Sequence, residues 1–232
     1  MSGWSGYLNL MSAFGGRLRH DRLVDGPPSS RQGRCRRASG VQANFADRLT
    51  EATVARVVAF DEGRFGLKCW FRRRWCIFGH RPPWIVNDRY EWVWVYMAVT
   101  PDTGECCCLL LPHVDTLCLD LFLVTVREEW PDERIGVVLD GSGSYRSAKV
   151  TWPEGIVPLL LPPYSPELDP AEQFFRYLRK RLANEVFATL EGLKDALTFE
   201  LQRLWAHPKV VIRMTNYPWW REGVDAITPS LS

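Results

Sequence analysis

Five prolines fall between residues 158 and 170, and they constrain this chain more than any other feature. The stretch 155–181 reads Gly-Ile-Val-Pro-Leu-Leu-Leu-Pro-Pro-Tyr-Ser-Pro-Glu-Leu-Asp-Pro-Ala-Glu-Gln-Phe-Phe-Arg-Tyr-Leu-Arg-Lys-Arg. The apolar run 156–161 has the length and content of a buried strand. Pro162, Pro163 and Pro166 then forbid regular structure, so a stiff loop follows. Asp169 and Pro170 suit the N-cap and first position of a helix. Along that helix Phe175, Leu178 and Leu182 form an apolar stripe, and Arg176, Arg179 and Lys180 a basic one. The stretch presents one carboxylate, Glu172, beside a run of cations. Taken alone it also fits a structural reading: Asp169-x-x-Glu172 matches a capping box, and Glu172 with Arg176 an ordinary i,i+4 ion pair.

The remainder of the chain bears on that choice. At 232 residues, 46% of them hydrophobic with 11 Trp and 11 Phe, the chain suits one domain with a substantial core. The formal net charge of +2 excludes nothing, because the cations are local. Seven cysteines lack CxxC spacing, and Cys106, Cys107 and Cys108 are adjacent. That pattern argues against a disulfide framework or zinc site and for a reducing cytoplasm. No apolar run approaches the ~20 residues that span a bilayer, so no membrane partner is expected.

Residues 1–48 are rich in Gly, Ser and Arg without an apolar period, and read as a basic arm or a non-native leader. Residues 49–222 read as the folded domain, and 223–232 as a flexible tail. A strand through Val54, Val57, Val58 and Phe60 is expected to end at Asp61-Glu62-Gly63. Residues 69–78, with Arg72-Arg73-Arg74, suit either a DNA contact or a solvated hairpin edge. Residues 90–100 form a strong strand whose Trp92, Trp94 and Tyr96 share one face and read as core. Pro101-Asp102-Thr103-Gly104 is a turn, and 105–111 returns as the paired strand. A helix over 115–130 shows apolar spacing through Leu117, Leu121 and Val124, with Asp115 as cap. The run Ile135-Gly136-Val137-Val138-Leu139 is a buried strand stopped by Asp140. A last amphipathic helix spans 189–205, and Tyr217-Pro218-Trp219-Trp220 is expected to pack back on the body.

This element order is α/β with mixed strand directions. Three acids stand at element ends: Asp61, Asp140 and Glu172. In open α/β sheets ligands gather beyond the strand carboxyl ends, where these acids can converge. Converging carboxylates repel and need a cation to neutralise them. Magnesium suits a site of few carboxylates completed by water and phosphate oxygens, and a pair of such ions serves phosphodiester chemistry. Arg146, Arg176, Arg179 and Lys180 would then hold flanking phosphates.

Three segments carry a resemblance: Asp61-Glu62-Gly63-Arg64-Phe65, Asp140-Gly141-Ser142-Gly143-Ser144-Tyr145-Arg146-Ser147, and Pro162-Pro163-Tyr164-Ser165-Pro166-Glu167-Leu168-Asp169-Pro170-Ala171-Glu172-Gln173-Phe174. They resemble the three catalytic blocks of DDE transposases of the mariner superfamily, in its bacterial insertion-sequence branch. The resemblance implies a ribonuclease-H-like mixed sheet flanked by helices, and metal-dependent cleavage and strand transfer of DNA at element ends. By position Asp61, Asp140 and Glu172 become the catalytic, metal-binding triad for two Mg2+ or Mn2+ ions. Arg64, Arg146, Lys149, Arg176, Arg179 and Lys180 become DNA contacts. It further implies terminal-repeat and target DNA as partners, a homodimer in a synaptic complex, and a bacterial, nucleoid-associated location.

The sequence departs from that family at three places. Asp169 stands where Asn is usual, adding a negative charge while keeping the cap. Tyr145 stands where His is common. The helix-turn-helix region that reads terminal repeats has no counterpart in residues 1–45, which points to a separate product or a truncated relic. A non-catalytic DNA-binding remnant and another ribonuclease-H-like nuclease are the alternative readings.

Overall fold

The computed structural model describes residues 44–68, 78, 87–140, 150–162 and 166–228. The expected arm over 1–43, the hairpin over 69–77 and the segment holding Tyr145, Arg146 and Lys149 lie outside the described residues. The elements run α1 (Phe45–Ala52), β1 (Arg56–Gly66), β2 (Trp92–Val99), β3 (Cys106–Leu111), α2 (Thr116–Glu129), β4 (Ile135–Leu139) and β5 (Ile156–Leu160). A 3-10 turn (Pro166–Leu168) then leads to α3 (Pro170–Arg181), α4 (Leu190–Trp205), α5 (Pro208–Thr215) and α6 (Pro218–Ile227).

The strands form one sheet in the order β3-β2-β1-β4-β5. β1, β2 and β3 pair antiparallel, while β4 and β5 pair parallel to β1. Alternation along β1 divides the core. Val57, Ala59 and Phe65 face the side covered by α1, α3, α4, α5 and α6, together with Met97 and Val138. Val58 and Phe60 face α2, with Tyr96, Ala98, Val137 and Leu139. β4 is buried at all five positions, as a central strand covered on both faces must be. β5 tolerates Pro158 because it is an edge strand, where a missing N–H interrupts no ladder.

The mixed sheet flanked by helices is the architecture expected from the sequence. The helix caps also fall where expected. Asp115 accepts from Cys118 N at 2.8 Å, Asp169 from Ala171 N at 2.8 Å, and Thr189 from Gly192 N at 3.2 Å. Each such cap satisfies a backbone donor that the helix itself leaves open.

Four details differ from expectation. β1 does not stop at Asp61 but continues to Gly66, because β2 supplies partners as far as Gly66↔Trp92. The face of α2 that packs is Leu119, Phe122, Leu123 and Val126, while Leu117, Leu121 and Val124 are exposed. Of the aromatic stripe only Tyr96 is fully core; Trp94 is half-buried and Trp92 is 42% exposed. The limits expected at residues 48 and 222 fall inside α1 and α6. Those two helices pack together, with Phe45 at 4.9 Å from the Trp219 ring and 5.2 Å from the Trp220 ring.

Candidate active site

Strand register brings the first two acids side by side. β1 and β4 pair in parallel with Ala59 opposite Val138. Two residues on lie Asp61 and Asp140, on the same face as that pair because side chains alternate with period two. This is the face covered by α3, whose first turn carries Glu172. The cap geometry fixes that turn: Asp169 holds Ala171 N, and Glu172 N donates to the Asp169 carbonyl at 3.3 Å. Among the described residues no hydrogen bond engages the Glu172 carboxylate, so the reciprocal arm of a capping box is not formed. Its carboxylate is therefore available to the site.

The acids of this region feel one another's charge. Burial drives the Asp61 carboxyl well above the usual range, and the charges of Glu62, Glu172 and Asp140 push it further. One backbone hydrogen bond at Glu62 opposes the shift. Asp169 is buried (2% exposed) and is likewise held well above the usual range, first by burial and then by Asp61, Glu172 and Asp140. Its bond from Ala171 works in the opposite direction. A cluster of this kind is unfavourable without a neutralising cation.

The donors are all carboxylate oxygens, the chemistry a hard divalent cation requires. Among the described residues no three of these side chains are gathered tightly enough to enclose an ion. Magnesium keeps waters and substrate phosphates among its ligands, so a site for it need not be a closed protein cage. Asp61, Asp140 and Glu172 are the residues that would hold it.

The expected DNA contacts divide. Arg176 and Lys180 are exposed on α3, with Arg176 one turn from Glu172. The Arg179 guanidinium lies over the Phe65 and Phe175 rings, 5.8 Å from each centroid. Arg64 is exposed over Trp92 (5.6 Å) and Trp94 (5.9 Å), on the opposite face of the sheet from Asp61. Arg146 and Lys149 lie outside the described residues.

One neighbour was expected to pack on the body, with nothing in the sequence to say where. Tyr217 ahead of α6 lies near the Gln173 side chain and feels the charges of Asp169, Arg176 and Glu172. Burial is the main reason its phenol is raised. Only the fold brings this tail residue to the head of α3.

Comparison with known proteins bears on the same residues. A family model described as DDE superfamily endonuclease matches residues 56–194, which contain all three acids. The chain is 33% identical over 104 residues to the uncharacterized protein y4pE/y4sA of Sinorhizobium fredii, spanning 44% of this chain and 77% of that protein. Its fold is similar to the Mos1 transposase in a paired-end complex with the left transposon end, at TM-score 0.59 and 17% identity over 97% of this chain and 70% of that one. The Mos1 mariner paired-end complex with Mn gives TM-score 0.60 and 16% identity over the same shares. The catalytic domain of Mos1 mariner transposase gives 0.54 and 16%, over 88% of this chain and 98% of that domain. At these identities the structures establish the fold, which is ribonuclease-H-like, while the family model covers all five strands of the sheet and the helix bearing Glu172. The chain belongs to the DDE superfamily endonucleases.

Proposed function

We propose that this protein is the transposase of a bacterial insertion sequence, cutting DNA at element ends and joining it to a target. The observation that carries the proposal is the convergence of Asp61, Asp140 and Glu172 on one face of the sheet, through strand register and the capped start of α3. The Mn in a Mos1 paired-end complex of the same fold supports a divalent-metal requirement. Two such ions, when bound, would polarise the scissile phosphodiester and favour attack by water or a 3′-hydroxyl.

The chain's own residues supply the setting. Asp61, Asp140 and Glu172 provide the anionic cradle, and Asp169 anchors the helix that holds Glu172. Arg176, Arg179 and Lys180 offer positive charge along α3 for phosphates flanking the cleaved bond. Arg146 and Lys149 extend that role from the segment after Asp140, and Arg64 serves DNA reaching the other face of the sheet. Burial pushes the Cys107 thiol up to about 12, away from nucleophilic character. Free Cys106, Cys107, Cys108 and Cys118 suit a reducing bacterial cytoplasm. A homodimer would hold two element ends together, and a separate helix-turn-helix product would read the terminal repeats. Residues 1–43, ahead of α1, would serve as a basic arm or leader.

The test is nicking of supercoiled plasmid with magnesium or manganese, wild type beside Asp140→Ala. Nicking only with metal, and lost in the variant, is expected. Metal-independent nicking, or equal nicking by both proteins, would remove the triad assignment. A folded, metal-binding wild type that binds DNA in a salt-sensitive way without cutting would favour the remnant reading instead.

A further inference from the structure

Two contacts between β1 and α3 run in step. Asp61 and Gly63 are successive residues on one face of the strand, about 6.6 Å apart at the usual rise. Glu172 and Phe175 are three residues apart on the helix, about 4.5 Å along its axis. The first member of each pair belongs to the acid cluster, and the second members touch. A Cβ on Gly63 would lie 2.4 Å from Phe175 Cδ1, 2.6 Å from Cε1 and 3.0 Å from Cγ. Real atoms cannot approach so closely. The collision reaches the root of the ring, so a swing of its far edge would not relieve it. The Phe175 ring is also confined: it is fully buried, 6.3 Å from the Phe65 ring and under the Arg179 guanidinium. A side chain at position 63 would therefore lift α3 from β1, and with it Glu172.

We propose that Gly63 is a positioning residue, whose missing side chain sets the separation of Asp61 and Glu172 and so the affinity of their site for divalent metal. The inference rests on the reading of these acids as metal ligands. Gly136 provides a matched control on the same sheet face. A Cβ there would meet Leu159 Cδ1 at 2.8 Å, in core packing away from α3.

The experiment measures Mn2+ binding by the loss of the free-ion paramagnetic resonance signal, with thermal melting in parallel, on the full chain. Gly63→Ala is expected to weaken Mn2+ binding by about 10-fold, the scale for groups that orient a ligand. Gly136→Ala is expected to lower the melting temperature and leave Mn2+ affinity unchanged. Phe175→Leu removes the stop from the helix side and is expected to weaken binding as well. The double variant Gly63→Ala/Phe175→Leu restores contact, so it is expected to bind Mn2+ more tightly than Phe175→Leu alone. That reversal of sign decides the matter even where Gly63→Ala alone fails to fold. A folded Gly63→Ala that binds like wild type, or a double variant no tighter than Phe175→Leu, would overturn the inference alone. A wild type that binds no Mn2+ would overturn the metal reading together with it.

Discussion

Asp169→Asn, studied without metal, isolates the electrostatic cost built into the site. The carboxyl is 2% exposed and its Oδ1 accepts from Ala171 N at 2.8 Å. Asn ranks with Asp as an N-cap, so the amide oxygen keeps that bond and the cap energy changes little. What is lost is the attraction of the charge for the helix N-terminus, about 0.3–1 kcal/mol. What is gained is relief from placing a carboxylate in a buried site beside Asp61, Glu172 and Asp140. Burying an uncompensated polar group costs about 1–3 kcal/mol in mutational data, and a charged one more. The second term wins, and the variant should be more stable by about 1–2 kcal/mol at pH 8. For a domain of this size that is roughly 2–8 °C in melting temperature.

The size of this gain depends on pH. The folded carboxyl titrates above its unfolded value of about 3.9. The native state therefore holds a proton that the unfolded state releases, and stability falls as pH rises between the two values. Below about pH 4 the penalty is absent, because both states are protonated. Calorimetric melts in EDTA at pH 4, 6 and 8 should show a gap between variant and wild type that opens with pH. A variant melting at or below wild type at pH 8, or a gap equal at pH 4 and pH 8, would refute the reasoning.

Further tests address the fold and the basic helix. Trp220, fully buried against Phe45, should cost about 3–5 kcal/mol when cut to Ala, as large aromatic truncations do, read by urea unfolding. Its indole N–H is buried with no partner among the described residues, so Trp220→Phe should cost under about 1.5 kcal/mol; equal losses would contradict the packing described. Arg176→Ala should weaken DNA binding without regard to sequence and reduce the slope of log K against log salt by about 1, measured by fluorescence anisotropy. An unchanged slope would remove Arg176 from the phosphate contacts.

The legibility of this molecule in its sequence varied for physical reasons. Asp140 and Glu172 could be read because local chemistry marks them: an apolar strand stopped by an acid, and a proline-stiffened loop ahead of a cap. Asp61 was found on a partly mistaken ground, since its strand continues to Gly66 and pairing with β2 outweighs the acidic break. Arg64 looks like a neighbour of Asp61 along the chain, yet strand alternation sends it to the other face. On α2 two apolar stripes compete, and the sheet took the one containing Phe122, whose ring stacks on Phe60 at 5.1 Å. The helices α1 and α5 have 8 residues each, too short to be stable alone, so tertiary contacts make them and local sequence does not announce them. Gly63 was read as a break after the strand; only the fold places it inside one, approached by Phe175.

The pairing of α1 with α6 has a consequence for synthesis on the ribosome. Phe45 and Leu49 leave the exit tunnel well before Trp220 and Val224, which complete the same core. At about 5–20 residues per second, that interval lasts on the order of ten to thirty seconds. Over this time the nascent chain carries an unsealed apolar seam, and closing it joins positions far apart in sequence, the slowest kind of contact to make. Because Tyr217, whose phenol feels the charges of Asp169 and Glu172, directly precedes α6, the head of α3 gains that neighbour in the same step. Until then the start of α3 stands without a partner that the folded chain gives it.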